Sequence, residues 1–260
     1  MNLIKIDDTN KSELEIYHKL RENAFTADNS FIADSPKVVN IILDTDIEVK
    51  SILATQDYYD EFSHLLTCRD KTKFFVIDKK EMEEIIGHKI HHNCMLHGIR
   101  PNETALEDLD NNIIMLDEIT STENVGSIAR SAAALGISSY LLPKEAPHPY
   151  SRRALRVSMG HITKLHVAIY SDIFETIKTL KNNGYKIFAA ELTPNAVSLQ
   201  DVSISSKWVL LMGHEGKGLS QDVIDACDEI VKIEMAEDVR SLNVAVAASI
   251  MMYQFKKNNK

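Results

Sequence analysis

The run Trp-Val-Leu-Leu-Met at residues 208–212 has no polar position. A strand with one wet face would alternate apolar with polar residues. An unbroken run of this length, bounded by turn residues, fits a strand covered on both faces, as in a parallel sheet. Parallel neighbours must be joined by crossovers, normally helices, so this stretch commits its part of the chain to an α/β fold. The surrounding sequence supplies the alternation. Strands are expected near Ile113–Leu116, Ser139–Leu142, Leu165–Ile169, Lys186–Ala190 and Ile230–Ile233, with helices between them and a last helix from about Ser241.

The first hundred residues repeat the pattern on a smaller scale. Ser12 and Glu15 form a capping box for a helix expected to run to about Asn23. In FIADSPKVVNIILDT, Ser35 is the expected cap, Pro36 takes the first helical position, and Val38, Ile41 and Ile42 share a face. Strands VKSILA, KFFVID and CMLHGI then alternate with helices DYYDEFSHLL and KKEMEEII. The polar, acidic stretch RPNETALEDLDNN at 100–112 reads as a linker. The expected organisation is a small α/β domain over 1–106 and a larger parallel-sheet domain over 107–260.

Composition narrows the function. Hydrophobic residues make up 44 %, enough for packed cores, and no apolar run approaches the roughly 20 residues of a membrane span. The first residues, MNLIKIDDTNKSELE, show none of the features of a signal peptide. Cys68, Cys94 and Cys227 are odd in number, far apart and form no Cys-x-x-Cys, which fits a reducing cytoplasm. A net charge of −9 argues against coating nucleic acid by bulk electrostatics. One local stretch runs the other way: Lys144, Arg152, Arg153, Arg156 and Lys164 face only Glu145. It is where an RNA contact is expected, although it also fits an ordinary solvated face.

Three strand-to-helix turns carry polar side chains where open parallel sheets bind ligands, beyond the carboxyl ends of the strands. LDEITSTENVGSIARSAAALG places Asn124 and Arg130 after a strand and Gly136 at the helix end. VLLMGHEGKGLS packs three glycines into six residues around Glu215. It is neither a P-loop nor a dinucleotide fingerprint, and Glu215 would repel a phosphate, so it points to a ligand with positive charge or hydroxyls. IEMAEDVRSLNVAVAASIMMYQF sets Ser241 and Asn243 at the mouth of the last helix, with Ser241 the expected cap and Ala245, Ala247 and Ala248 permitting close packing. Taken singly, each turn also reads as a helix cap with a surface side chain. His88, His91, His92, Cys94 and His97 cluster in sequence, but their spacing matches no standard zinc site, and no metal is expected.

Taken together, NVGSIARSAAALG, LLMGHEGKGLS and SLNVAVAA resemble, in order and spacing, the three motifs of the SpoU (TrmH) family of RNA ribose methyltransferases, over about residues 112–256. FIADSPKVV and the unit after it resemble the family's N-terminal substrate-binding module, which is similar to a ribosomal-protein RNA-binding fold. The resemblance implies methyl transfer from S-adenosylmethionine to a ribose 2′-hydroxyl of RNA by a cytoplasmic homodimer with its active site at the subunit interface. It also implies a SPOUT-class domain with a deep C-terminal trefoil knot, which physical argument alone would not suggest. Carried over by motif, the catalytic set is Asn124, Arg130, Glu215, Ser241 and Asn243. Cofactor contacts fall to Leu211, Met212, Gly213, Glu215, Gly218, Ile233, Met235 and Leu242. RNA contacts fall to Arg152, Arg153 and Arg156 of SRRALRVSMG. The added N-terminal module favours ribosomal over transfer RNA as the substrate. Two departures stand out: Glu234 and Glu237 replace a usual proline and glycine of the third motif, and Ser121 to Glu123 replace the usual Asp-Pro of the first. A non-catalytic RNA-binding or ribosome-assembly protein that kept the fold is the alternative, as is a transfer-RNA ribose methyltransferase.

Overall fold

The computed structural model describes residues 2–19, 28–67, 69–239 and 241–258. The chain divides into two compact units. One comprises residues 1–102 with 150–163, the other 103–149 with 164–260. The segment 150–163, expected in the larger domain, therefore groups with the smaller unit.

The smaller unit is a five-stranded mixed sheet. Its strands are β1 (Leu3–Lys5), β2 (Ser30–Asp34), β3 (Glu48–Ala54), β4 (Lys73–Val76) and β5 (Cys94–Ile99). They lie in the order β1-β4-β3-β5-β2, with β4 parallel to both neighbours and β5 antiparallel to both of its own. Helices α1 (Glu15–His18), α2 (Pro36–Leu43), α3 (Gln56–Phe62) and α4 (Lys79–Ile86) connect them. Leu14, Tyr17, Ile32, Leu53, Phe75 and Met82 are among the residues of one buried cluster. The capping box expected at Ser12 does not form: a 3-10 turn occupies Ser12–Leu14, and α1 starts at Glu15 without a side-chain cap. The expected end of that helix near Asn23 lies outside the described residues, as does Cys68. Ser35 precedes α2, but its side chain makes no cap hydrogen bond and it has φ of +77°.

The larger unit is built on seven strands. They are β6 (Asn112–Leu116), β7 (Ser139–Pro143), β8 (His166–Tyr170), β9 (Lys186–Ala190), β10 (Val197–Ser198), β11 (Trp208–Met212) and β12 (Glu229–Lys232). The order is β10-β12-β9-β11-β6-β7-β8, and every neighbouring pair is parallel. Helices α5 (Thr122–Ala134), α7 (Ile173–Asn182), α8 (Gln221–Ala226) and α9 (Val244–Asn258) complete it, while α6 (Arg152–Val157) belongs to the smaller unit. All five residues of β11 are buried. Val209 and Leu211 pack in one cluster with Ile177 and Leu180 of α7 and Val223 and Ile224 of α8. On the other face, Trp208 and Phe188 each meet Phe255 of α9 edge-on at 5.1 Å. Cover on both faces is what the apolar run required. Because all seven strands are parallel, β6, β9, β11 and β12 end at one edge of the sheet, and the loops that leave them meet there.

Candidate active site

The loop after β11 is tight because it folds on itself. The Gly218 N–H donates to the His214 carbonyl at 2.9 Å, and His214 Nδ1 accepts the N–H of Gly216 at 2.9 Å and of Lys217 at 3.3 Å. A Cβ at Gly213 would lie 2.6 Å from the Gly218 carbonyl carbon. Gly218 has φ of +68°, and a Cβ there would overlap the Glu191 carboxylate. That carboxylate accepts the N–H of Leu219 at 2.8 Å and of Leu192 at 3.0 Å. Two of the three glycines therefore serve the loop's own closure.

Glu215, carried by this loop, gathers the first motif. Its carboxylate accepts Asn124 Nδ2 at 2.9 Å, the Ser121 N–H at 3.0 Å, and the N–H and hydroxyl of Thr120, both at 3.3 Å. Burial pushes the Glu215 carboxyl up, but the Asn124 amide and the backbone N–H groups of Ser121 and Thr120 outweigh it and hold the carboxyl at about 2. Asn124, itself buried, accepts Asn243 Nδ2 on its Oδ1 at 3.1 Å. Its orientation follows from its partners, since a carboxylate can only accept. Asn243 Oδ1 in turn accepts the N–H of Ala245 at 2.9 Å and of Val246 at 3.3 Å, capping α9. One hydrogen-bonded line, Glu215–Asn124–Asn243, thus joins all three turns. Ser121 rather than Asn124 caps α5, Ser220 caps α8, and of the serine and asparagine at the start of α9, Ser241 and Asn243, it is Asn243 that caps.

Beside this line lies a cavity of about 420 Å³ between the loops that follow β9, β11 and β12 and the start of α9. Met212, Gly213, Glu215 and Gly218 line it from one side, and Ile233, Met235 and Leu242 from another. Ser241 also lines it. Leu211 does not; its side chain is fully buried in the core cluster with α7 and α8. Sequence reading missed Glu191, Lys217, Val244 and Met251, which also line the cavity. Glu191 follows β9, a strand whose end carries no motif, so only its place beyond a parallel strand could have flagged it. Glu234 is absent from the lining. A hydrogen bond from Ser198 holds its carboxyl below the ordinary value, and Glu237 is exposed to solvent. Arg130 is exposed on α5, does not line the cavity, and makes no hydrogen bond or ion pair among the described residues.

The arginines expected to face RNA belong to the smaller unit, on α6. Arg152 Nε and Nη2 both lie 2.6 Å from Asp34 Oδ2, and Arg156 Nε lies 3.5 Å from Asp34 Oδ1. His92 Nε2 stands 3.2 Å from Asp34 Oδ2. Asp34 is fully buried; burial alone would raise its carboxyl, but His92 and Arg152 hold it below the ordinary value. Arg152 and Arg156 thus share an internal partner. The histidines do not converge either: His97 Nε2 pairs with Ser30 Oγ at 2.8 Å, and no three potential ligands meet among the described residues.

Comparison with known proteins sets this geometry beside relatives. The model of the SpoU rRNA methylase family matches residues 111–253. A Staphylococcus haemolyticus protein assigned to the TrmH family of tRNA/rRNA methyltransferases is 35 % identical over 142 residues, 55 % of this chain and 57 % of its own length. A Staphylococcus epidermidis counterpart is 36 % identical over 142 residues, with the same shares. The match therefore spans less than two thirds of these relatives. The S-adenosylmethionine-bound rRNA methyltransferase of Sinorhizobium meliloti has a TM-score of 0.85 at 21 % identity, covering 98 % of each chain. The SpoU methyltransferase AviRb of Streptomyces viridochromogenes, in complex with the same cofactor, has a TM-score of 0.78 at 21 % identity, covering 95 % of this chain and 98 % of its own. At such identities the likeness is one of fold.

Proposed function

The chain belongs to the SpoU rRNA methylase family, and from that premise we propose that it transfers a methyl group from S-adenosylmethionine to a ribose 2′-hydroxyl of ribosomal RNA. The observation that carries this reading is the line Glu215–Asn124–Asn243, which unites the three motif turns and shares Glu215 with the cavity. The two-unit fold common to this chain and the Sinorhizobium meliloti rRNA methyltransferase supports the ribosomal substrate.

The cavity fits the cofactor. Its volume lies within the roughly 300–1,000 Å³ of small-molecule sites. Leu192, Ile233, Leu242 and Met251 offer apolar walls for a purine, Glu191 offers a carboxylate for hydroxyls, and Glu215, its acceptor sites filled by Thr120, Ser121 and Asn124, adds negative charge beside a cationic ligand. S-adenosylmethionine bound there supplies a methyl already activated on a sulfonium. The protein's task is then to place the hydroxyl in line with it. Glu215, held at about 2, stays anionic at neutral pH and orients Asn124 rather than accepting a proton. Arg130 is permanently cationic, so its role in this reading is a bidentate clamp on the phosphate beside the reacting ribose.

Arg130 does not line its own chain's cavity, and we read the working unit as a cytoplasmic homodimer in which the partner completes each site. Helix α9 supports this: Val246, Ile250 and Tyr253, spaced one turn apart, are 48 %, 40 % and 62 % exposed on a helix that buries Val244, Ala248, Met251, Met252 and Phe255 on its opposite side. The same reading includes a deep trefoil knot in the larger unit. Among the described residues, no helix is long and apolar enough to cross a membrane.

The test is methyl transfer from labelled S-adenosylmethionine to bulk RNA from cells lacking this protein, with wild type and Arg130→Ala compared and the RNA digested to nucleosides. Label in a 2′-O-methyl nucleoside, lost in the variant and recovered in the ribosomal fraction, is the expected result. Label in a methylated base would overturn the ribose assignment, and label confined to transfer RNA would overturn the ribosomal one. No label, with RNA binding intact, would point to a non-catalytic RNA-binding protein.

A further inference from the structure

We infer that Asp34 is a positioning residue for RNA binding: it fixes the guanidinium groups of Arg152 and Arg156 so that the N–H groups not given to Asp34 face the phosphodiester backbone as a preset pair of forks. The inference rests on the functional reading above and gives a role to Asp34, a residue of FIADSPKVV to which that reading assigns none.

The geometry is that of a built site. Asp34 ends β2 and is fully buried, whereas the side chains of Arg152 and Arg156 are 26 % and 45 % exposed. Each guanidinium therefore spans interior and solvent. Arg152 commits Nε and Nη2 to Oδ2 of the carboxylate, while Arg156 approaches Oδ1 with Nε at 3.5 Å as an ion pair that leaves that buried oxygen without a hydrogen bond. Of five N–H donors on each, several remain, in a planar arrangement that matches phosphate oxygens. One buried negative charge against two arginines leaves the cluster cationic, with His92 also against Asp34.

Stability alone does not account for this arrangement. Apolar groups of similar volume usually serve a fold as well as a buried ion pair or better, so keeping one points to a demand for specific geometry. The neighbouring backbone shows the same demand. Ser35, directly after Asp34, sits at φ +77°, ψ 144°, a conformation that costs a non-glycine residue and persists only where the surroundings enforce it. The arginine-bearing segment is pinned at both ends to the same strand and helix. Tyr150 meets Phe31 of β2 edge-on at 5.2 Å, and Gly160, at φ +83°, approaches Val38 and Ile41 of α2 so closely that a Cβ would lie 3.1 Å from each.

The test is filter retention of protein-free ribosomal RNA by the full-length protein at fixed salt. Asp34→Asn preserves shape and removes a negative charge, so simple electrostatics predicts tighter binding. Positioning predicts the opposite, a loss of about tenfold, the worth of one well-made bidentate contact. Arg156→Lys keeps the charge but loses the fork, and its affinity should fall severalfold. Calorimetric affinity for S-adenosylmethionine should be unchanged in both variants. Asp34→Asn binding RNA as tightly as wild type or tighter, with only a lowered melting temperature, would reduce Asp34 to a structural ion pair and overturn the inference. Wild-type affinity in Arg156→Lys would do the same, and this variant decides the matter if Asp34→Asn does not fold. Wild type that fails to bind the RNA also overturns it. Wild type that binds RNA but transfers no methyl refutes the methyltransferase reading instead, leaving the affinity comparison to stand.

Discussion

Glu215 shows how much one carboxylate can organise. With four donors directed at it, its charge is part of the folded state. Its folded pKa, about 2, lies below the ordinary glutamate value of 4.5. The resulting stabilisation is complete above 4.5 and disappears as pH falls through about 2. Glu215→Gln should therefore be less stable than wild type by a constant margin near neutrality, and the margin should close between those two values in denaturation measured across pH. Arg130 makes the converse point, since nothing among the described residues holds it. Arg130→Lys keeps the charge but loses the fork, and steady-state kinetics should show kcat/KM for RNA down by about a hundredfold. Most side chains of the proposed site were legible in the sequence because three separated motifs specify them together. Their local roles were less so. Ser121 and Asn124 compete for one cap and Ser241 and Asn243 for another, and residue type alone does not separate candidates two or three positions apart.

At the scale of elements, the parallel strands were the easiest to read, because burial on both faces leaves an unbroken apolar signature. The short strands were not. Leu3–Lys5 spans three residues, too few for periodicity to show, and Ser30–Asp34, though as long as β11, is polar at both ends and runs into the turn before α2. Glu191 was hidden for another reason: its partner is the backbone of a loop 28 residues further on. That contact makes a clear prediction for the loop. Gly218→Ala would force a side chain into a left-handed conformation and against the Glu191 carboxylate. A loss of roughly 1–3 kcal/mol in denaturant unfolding is expected, together with weaker binding of S-adenosylmethionine by calorimetry. A variant that keeps both would show that the loop has room to adjust.

For the whole molecule, the exposed stripe on α9 is the feature that a single chain leaves unused. Tyr253→Glu places a charge at its most exposed apolar position, with Tyr253 62 % exposed in the single chain. Sedimentation should then shift from dimer to monomer, and methyl transfer should fall with it; an active monomer would refute the shared-site reading. The division into units was only half visible in the sequence. The linker at 100–112 is marked by composition, but the return of residues 150–163 to the first unit depends on contacts such as Asp34 with Arg152, more than a hundred positions apart. That return has a consequence for how the chain is made. The first unit is complete only when residue 163 is available, about sixty residues after its contiguous part ends. At roughly 5–20 residues per second, a translating ribosome leaves Asp34 waiting some seconds for its arginines. Until then Asp34 lacks the two arginines that face it in the finished fold, and final assembly of the first unit is tied to synthesis of the domain that follows.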